Sequence, residues 1–179
     1  MSAGVVLMGE AALAQAVATV ADALAVAMAD VPRWALVGVR SGGIPFADAL
    51  ARALQGRTAT APLRGDVDIT LYRDDLYTGL ERPVLGDTDL PFEITGCGVV
   101  LVDDVLFTGR TVRAAMGEVV DYGRPAFIRL AVLVDRGHRE LPIAADFCGA
   151  RLSTAKSDRV VVDWDARQVV LTTRGPGPG

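Results

Sequence analysis

The stretch GVVLVDDVLFTGRTVRAA, residues 98–115, decides the fold class and the place of a site. Its apolar start is typical of a buried strand, and the strand ends in two adjacent carboxylates, Asp103 and Asp104. The chain then turns through Thr108 to Thr111 into a helical pattern. Acids that only cap a helix or face solvent in a turn are the alternative, which fits poorly with so apolar a strand. A ligand that carries hydroxyl groups and a phosphate explains the pair better.

Apolar runs and helical patterns alternate along the rest of the chain. Helices are predicted at about 10–29, 41–54 and 110–122. Strands are predicted at 34–39, 67–73, 99–104, 126–135, 146–148, 159–164 and 169–172. Near-continuous apolar strands that alternate with helices are typical of an α/β fold, in which a mostly parallel central sheet is flanked by helices.

The remaining segments set the limits of the domain. Residues 74–96 carry charges, prolines and glycines without periodicity, and a loop of this length is typically a lid or disordered. A chain of 179 residues is long enough to bury one core. We therefore predict a single domain over residues 1–174 and a disordered tail over 175–179.

Charge, the N-terminal stretch and the cysteines indicate a cytoplasmic protein that does not bind membranes. A net charge of −4 excludes an unspecialised nucleic-acid binder, because neutralising phosphates needs clustered Lys and Arg. The Ala-rich stretch at 11–31 lacks a positive segment before it and is interrupted by Gln15 and Asp22, which predicts a packed amphipathic helix. Cys97 and Cys148 fit no metal or disulfide spacing, as expected for thiols in a reducing cytosol.

Three polar turns follow predicted strands: VRSGG at 39–43, DDVLFTGRT at 103–111 and DRGHRE at 135–140. Each turn alone is common. In parallel sheets, however, ligands bind beyond the carboxyl ends of the strands, where these turns converge. Together they predict a site.

The middle turn has the chemistry of a phosphate site. Thr108, Gly109 and Thr111 lie at the start of a helix, where unpaired N–H groups and the helix dipole favour an anion. The upstream carboxylates repel a phosphate, so we expect them to face sugar hydroxyls or a divalent cation. This order of groups matches a ribose 5-phosphate.

VVLVDDVLFTGRT resembles the phosphoribosyl-pyrophosphate (PRPP) motif of the type I phosphoribosyltransferases. DITLYRDDL at 68–76, GRP at 123–125 and LAVLVDRGHRELPI at 130–143 are similar to the PyrR family. Its members regulate pyrimidine operons by RNA attenuation and have uracil phosphoribosyltransferase activity. The similarity runs from about residue 34 to residue 160.

The resemblance implies a type I phosphoribosyltransferase fold with a small hood region and a flexible lid loop at about 74–90. The implied reaction converts uracil and PRPP into UMP and pyrophosphate. Mg²⁺ would be held mainly through PRPP, near Asp103 and Asp104. A homo-oligomer, dimer or tetramer, is also implied.

The resemblance further assigns roles to residues. The catalytic residues are Asp103, Asp104 and Arg73, the last at the hinge of the lid. The PRPP-binding residues are Arg40, Ser41, Gly42, Val105, Leu106, Phe107, Thr108, Gly109, Arg110 and Thr111. The base-binding residues are Arg136, Gly137, His138 and Val160. A loop histidine that only makes local hydrogen bonds is an equally good interpretation of His138.

The chain departs from the family pattern at two places. In the turn that binds pyrophosphate, Ser41 and Gly42 replace Thr and Arg, which leaves Arg40 as the nearby cation. On the RNA-binding face, the first helix has no Lys or Arg, and Ala144 replaces a basic residue. The RNA-binding residues that remain are Arg139, Arg151, Thr154 and Lys156. We expect the enzyme to be retained and RNA binding to be weak or lost.

Two other functions stay open at this point. One is an RNA-binding attenuation regulator of pyrimidine genes whose enzyme activity is incidental. The other is a phosphoribosyltransferase for a different base, since the PRPP motif is common to the type I phosphoribosyltransferases and the sequence defines the base pocket only in part.

Overall fold

Three helices and eight strands make up the part of the chain described by the computed structural model, residues 4–69 and 88–172. The helices are α1 (Glu10–Ala27), α2 (Gly43–Ala53) and α3 (Arg110–Asp121). The strands are β1 (Val5–Met8), β2 (Trp34–Val39), β3 (Leu63–Val67), β4 (Gly98–Leu106), β5 (Phe127–Asp135), β6 (Phe147–Arg151), β7 (Arg159–Asp163) and β8 (Gln168–Thr172).

Five of the strands form a parallel sheet in the order β3-β2-β4-β5-β6. Every residue of β2 is buried, and β4 is buried from Gly98 to Asp103, because both faces of these central strands are covered. Helices α1 and α2 pack on one face, through side chains such as Leu24 and Phe46, and α3 packs on the other through Val112 and Val119. The predicted fold class is confirmed.

A second, three-stranded antiparallel sheet has the order β1-β8-β7. Val160, Val162 and Val169 point from it into the core shared with α1 and α2. It brings Val160 towards the carboxyl end of β4.

Helix α1 has the length and hydropathy of a membrane-spanning helix, with 18 residues and a mean hydropathy of 1.4. The core helix of a globular protein passes the same test. In this structure Leu13, Val20 and Leu24 lie on one face of α1 and are buried against the sheet. This is the arrangement predicted for a packed amphipathic helix.

The predicted strand at 67–73 shares only Val67 with the strand that the structure has here, and residues 70–73 lie outside the described residues. The structure has β3 at Leu63–Val67, parallel to β2, and residues 68 and 69 belong to no strand. Arg64 and Asp66 lie half-buried on β3 and form an ion pair with an N–O distance of 2.6 Å. These two charged residues interrupt the apolar pattern from which a strand is predicted. Strand β1 was not predicted. The predicted lid up to residue 87, Arg73 and the tail at 175–179 lie outside the described residues.

Candidate active site

The carboxyl ends of β2, β4 and β5 bring the three predicted turns together. The main-chain N–H of Arg136, after β5, donates to the carbonyl of Leu106 at the end of β4 over 3.1 Å. The N–H of Glu140 donates to the carbonyl of Thr108 over 3.0 Å. From the β2 side, Gly42 lies directly against the carboxylate of Asp104. The three motifs therefore form one continuous edge.

Asp103 and Asp104 occupy the middle of this edge. Asp103 is buried, and the main-chain N–H of Asp104 donates to its Oδ1 over 3.0 Å. Burial raises the pKa of Asp103 well above its usual value, and the neighbouring charge of Asp104 raises it further. Burial also raises the pKa of Asp104. Two carboxylates under this mutual repulsion gain from donor hydroxyls or from a cation.

The carboxylate pair alone does not make a complete metal site. Among the described residues, no cluster of three or more His, Cys, Asp or Glu side chains could hold a metal. Two adjacent carboxylates can supply only part of a Mg²⁺ coordination shell, so substrate oxygens and water would have to supply the rest.

The pyrophosphate turn, Arg40–Gly42, connects β2 to α2. Its Arg40–Ser41 peptide is cis. Arg40 is 44% exposed, and its Nε lies 3.6 Å from Oδ2 of the buried Asp68. Gly43 begins α2, and a Cβ there would lie 2.1 Å from the carbonyl oxygen of Val102. Only glycine lets α2 approach β4 this closely.

The phosphate turn, Thr108–Thr111, connects β4 to α3. Gly109 has φ +92°, a left-handed conformation that favours glycine, and it is the N-cap residue of α3. Gly109 has no side chain to cap the helix, and the Thr108 hydroxyl accepts a hydrogen bond of 3.4 Å from the main-chain N–H of Arg110, the first residue of α3. A helix start in this position is the setting in which main-chain N–H groups bind an anion, so the phosphate role of this turn stays a prediction.

A cavity of about 570 Å³ lies beside the carboxylate pair. Of its eight lining residues, only Arg136 and Val160 were predicted to bind the base, and Val105 and Phe107 were predicted to bind PRPP. The lining residues are Val105, Phe107, Arg136, Lys156, Ser157, Asp158, Arg159 and Val160. This base cavity has the volume of a small-molecule site.

Arg136 forms a fixed wall of the base cavity. It is buried, and its guanidinium stacks over the ring of Phe107 at 4.1 Å from the ring centroid. It donates to the Thr154 hydroxyl over 3.1 Å and to the carbonyls of Ala155 and Asp158 over 2.7 and 2.8 Å. Because these N–H groups are bonded within the protein, they do not donate to a bound base. The role of Arg136 is therefore to shape the cavity.

A separate flanking groove of about 560 Å³ mixes two predicted groups. It is lined by residues 135–139 and 151–154, which include the base-binding candidates Gly137 and His138 and the RNA-binding candidates Arg139, Arg151 and Thr154. His138 Nε2 lies 2.7 Å from the carbonyl oxygen of Thr154, which is the local contact that the alternative interpretation expects.

Arg139 joins its own loop to the residue that follows β4. It donates to the carbonyls of Phe107 and Ile143 over 2.7 and 3.0 Å and pairs with Asp135 at 2.5 Å. Burial raises the pKa of Asp135, but hydrogen bonds from Arg139 and Gly137 and the nearby positive charges outweigh it and hold the pKa below its usual value. The Asp135 carboxylate therefore stays ionised at neutral pH.

The face formed by α1 and β6 has few cations. On α1, Asp22 is exposed and paired with Arg57. Ala144 is exposed just before β6, and Arg151 ends that strand. Lys156 lies at the base cavity, away from this face, and pairs with Glu140.

Sequence reasoning missed Glu140, Asp158 and Asp68. Glu140 lies within the HRE motif that carried the resemblance, so its position was visible but its partners were not. Asp68 likewise begins the DITLYRDDL motif, but its contact with Arg40 could not be read from the sequence. Asp158 accepts from Arg136, 22 positions away, and no local pattern marks it.

Comparison with known proteins places the chain in a family. The phosphoribosyl transferase domain family matches residues 10–166. Bifunctional protein PyrR from Chloroflexus aurantiacus is 54% identical over 143 residues, which cover 78% of this chain and 79% of that protein. Bifunctional protein PyrR from Geobacter sulfurreducens is 47% identical over 167 residues, covering 93% and 94%.

Solved structures show the same fold at much lower identity. A hypoxanthine phosphoribosyl transferase from Trypanosoma cruzi has a TM-score of 0.73 at 23% identity and covers 96% of this chain and 92% of its own. A hypoxanthine-guanine phosphoribosyltransferase from Bacillus anthracis has a TM-score of 0.70 at 18% identity, covering 92% and 95%. By domain match and by identity, this chain belongs to the PyrR family of the type I phosphoribosyltransferases.

Proposed function

We propose that this protein is a uracil phosphoribosyltransferase, which transfers the phosphoribosyl group of PRPP to uracil and releases pyrophosphate. The observation that carries the proposal is the position of Asp103 and Asp104. They lie between the phosphate turn, the pyrophosphate turn and the base cavity. The similarity to proteins named bifunctional protein PyrR supports the choice of uracil.

PRPP would lie along the edge of the sheet. The 5′-phosphate receives N–H donors from the phosphate turn, and the ribose hydroxyls donate to Asp103 and Asp104. The pyrophosphate lies at the pyrophosphate turn, beside Arg40. Each group of the substrate thus meets a partner of complementary charge or hydrogen-bonding capacity.

Positioning and charge stabilisation supply the catalysis in this proposal. As the bond to pyrophosphate breaks, the ribose gains oxocarbenium character, and the carboxylates of Asp103 and Asp104 stabilise the developing positive charge. When bound, Mg²⁺ would neutralise charge on the departing pyrophosphate. The assignment of Arg73 and the lid to pyrophosphate binding and water exclusion remains a prediction.

The base cavity offers uracil an apolar slot with polar groups at its rim. Val105, Phe107 and Val160 provide the apolar walls, and Arg136 keeps Phe107 in place. The main chain near Val160 supplies both donors and acceptors, which the edge of uracil requires. His138 and Gly137 contribute from the flanking groove in a secondary role.

The second candidate function is RNA-dependent attenuation, which the family also performs. Arg139 donates to the main-chain carbonyls of Phe107 and Ile143, and the exposed side of α1 carries Asp22 and no Lys or Arg. We therefore propose that RNA binding is weak. We also propose a cytoplasmic homo-oligomer, and light scattering after gel filtration tests its size.

The experiment measures nucleotide formation from PRPP and Mg²⁺ with uracil, cytosine, orotate or hypoxanthine. We expect turnover with uracil alone. Asp30→Asn, an exposed carboxylate at the end of α1, is the control for Asp104→Asn. Turnover with another base would identify that base as the substrate in place of uracil. No turnover with any base would refute the proposed enzyme activity.

A further inference from the structure

Glu140 joins two parts of the proposed site through both oxygens of one carboxylate. Its Oε2 lies 3.0 Å from Nε of Arg110, the first residue of α3 and part of the phosphate turn. Its Oε1 lies 2.9 Å from Nζ of Lys156, which lines the base cavity. Hydrogen bonds from Lys156 and Arg110 lower the pKa of Glu140, so the carboxylate is charged at neutral pH.

The main chain strengthens the same link. The N–H groups of Glu140 and Leu141 both donate to the carbonyl of Thr108, over 3.0 and 3.2 Å. Arg139 donates to the carbonyl of Phe107, whose ring is a wall of the base cavity. A shift of the phosphate turn therefore moves the loop that carries Glu140.

We propose that Glu140 is a positioning residue that couples PRPP binding at the phosphate turn to base binding in the adjacent cavity. It orients Arg110 on one side and holds the Lys156 ammonium at the rim of the cavity on the other. Glu140 itself touches neither substrate. The part of this inference that concerns uracil rests on the proposed function. The part that concerns PRPP binding holds whichever base accepts the phosphoribosyl group.

The test compares Glu140→Gln, Lys156→Met and the double variant with the wild-type protein. Calorimetry measures the Kd of Mg-PRPP, and steady-state kinetics measure kcat and the KM of uracil. The control is Glu10→Gln, which breaks an exposed pair with Arg167 of similar length, 2.7 Å, outside the site. Gln keeps the size of Glu and removes its charge.

We expect Glu140→Gln to weaken Mg-PRPP binding and to raise the KM of uracil, each by about two- to fivefold, with kcat less affected. Lys156→Met raises the KM of uracil alone. The double variant is no worse for uracil than Glu140→Gln, because the two residues act together. The effects shrink at about 0.5 M salt, because exposed charges are screened. Glu10→Gln matches the wild type.

Wild-type values for Glu140→Gln, additive effects in the double variant, or effects that salt does not change would overturn the proposal. If Glu140→Gln fails to fold, Lys156→Met decides, since its side chain is 66% exposed; an unchanged KM for uracil then refutes the coupling. Wild-type protein that binds Mg-PRPP without using uracil refutes the proposed base. In that case the Kd of Mg-PRPP for Glu140→Gln still tests whether Glu140 contributes to PRPP binding.

Discussion

The carboxyl edge of the parallel sheet and the face formed by α1 and β6 differ in the side chains that they present. At the edge, polar and charged side chains follow each strand and contact one another, as Glu140 contacts Arg110. On the other face, α1 presents mostly small side chains to solvent, and Ala144 is exposed beside them. Relatives of this chain are named bifunctional, and we propose that enzyme activity and RNA binding depend on separate surfaces.

The largest expected effect is at the carboxylate pair. Asp104→Asn keeps the shape of the side chain but removes charge from the edge, and we expect kcat/KM for PRPP to fall by about 100-fold. Steady-state kinetics with saturating uracil measure it. Activity within threefold of the wild type would show that the mechanism does not need the carboxylates. The contrast between the two surfaces would then no longer reflect function.

Restoring charge to the α1–β6 face sharpens the comparison. Ala144→Arg adds a cation to an exposed position, and we expect the affinity for a pyrimidine leader RNA to rise by up to about tenfold with a steeper dependence on salt. A gel shift at several salt concentrations measures both. Ala166→Arg, which adds the same charge in the turn between β7 and β8, is the control. Tight RNA binding by the unmodified protein would contradict the comparison.

Gly42 tests how closely the edge is packed. Its φ of −72° and ψ of −29° suit any residue, so the need for glycine comes from space: a Cβ would lie 2.0 Å from Oδ2 of Asp104. We expect Gly42→Ala to cost roughly 1–3 kcal/mol of stability. The cost should be smaller in an Asp104→Ala background, where that space is free. Thermal unfolding of the four proteins measures the coupling, and equal costs in both backgrounds would refute the contact.

The smallest effect concerns pH. The folded state raises the pKa of Asp103, chiefly by burial, so its folding becomes less favourable as pH rises from the unfolded pKa near 3.8 through the raised folded pKa. Below that window the group is protonated in both states and the penalty is absent. We expect the Tm of ligand-free protein to fall with increasing pH relative to that of Asp103→Asn. Parallel Tm curves from pH 4 to pH 8 would contradict this.

Local chemistry made the centre of the site predictable. Two acids at the tip of an apolar strand, followed by a Gly that begins a helix, form a pattern within about ten residues, and the fold and the position of Gly109 followed from it. The structure places both acids and Gly109 at the carboxyl end of β4 and the start of α3.

Features that depend on distant partners could not be predicted in this way. Arg136 was assigned to the base from its motif, yet its donors go to residues 18 to 22 positions away. Glu140 gained its role from Arg110 and Lys156, which only the folded chain brings together. Strand β3 was misplaced because Arg64 and Asp66 satisfy each other on a half-buried strand.

Measuring both activities in one preparation tests the central claim most directly. Uracil-dependent UMP formation from PRPP and the Kd for a pyrimidine leader RNA are determined at the same salt concentration. The account predicts uracil-specific turnover together with RNA binding no tighter than that of an unrelated RNA of equal length. Specific, tight RNA binding without turnover would contradict it.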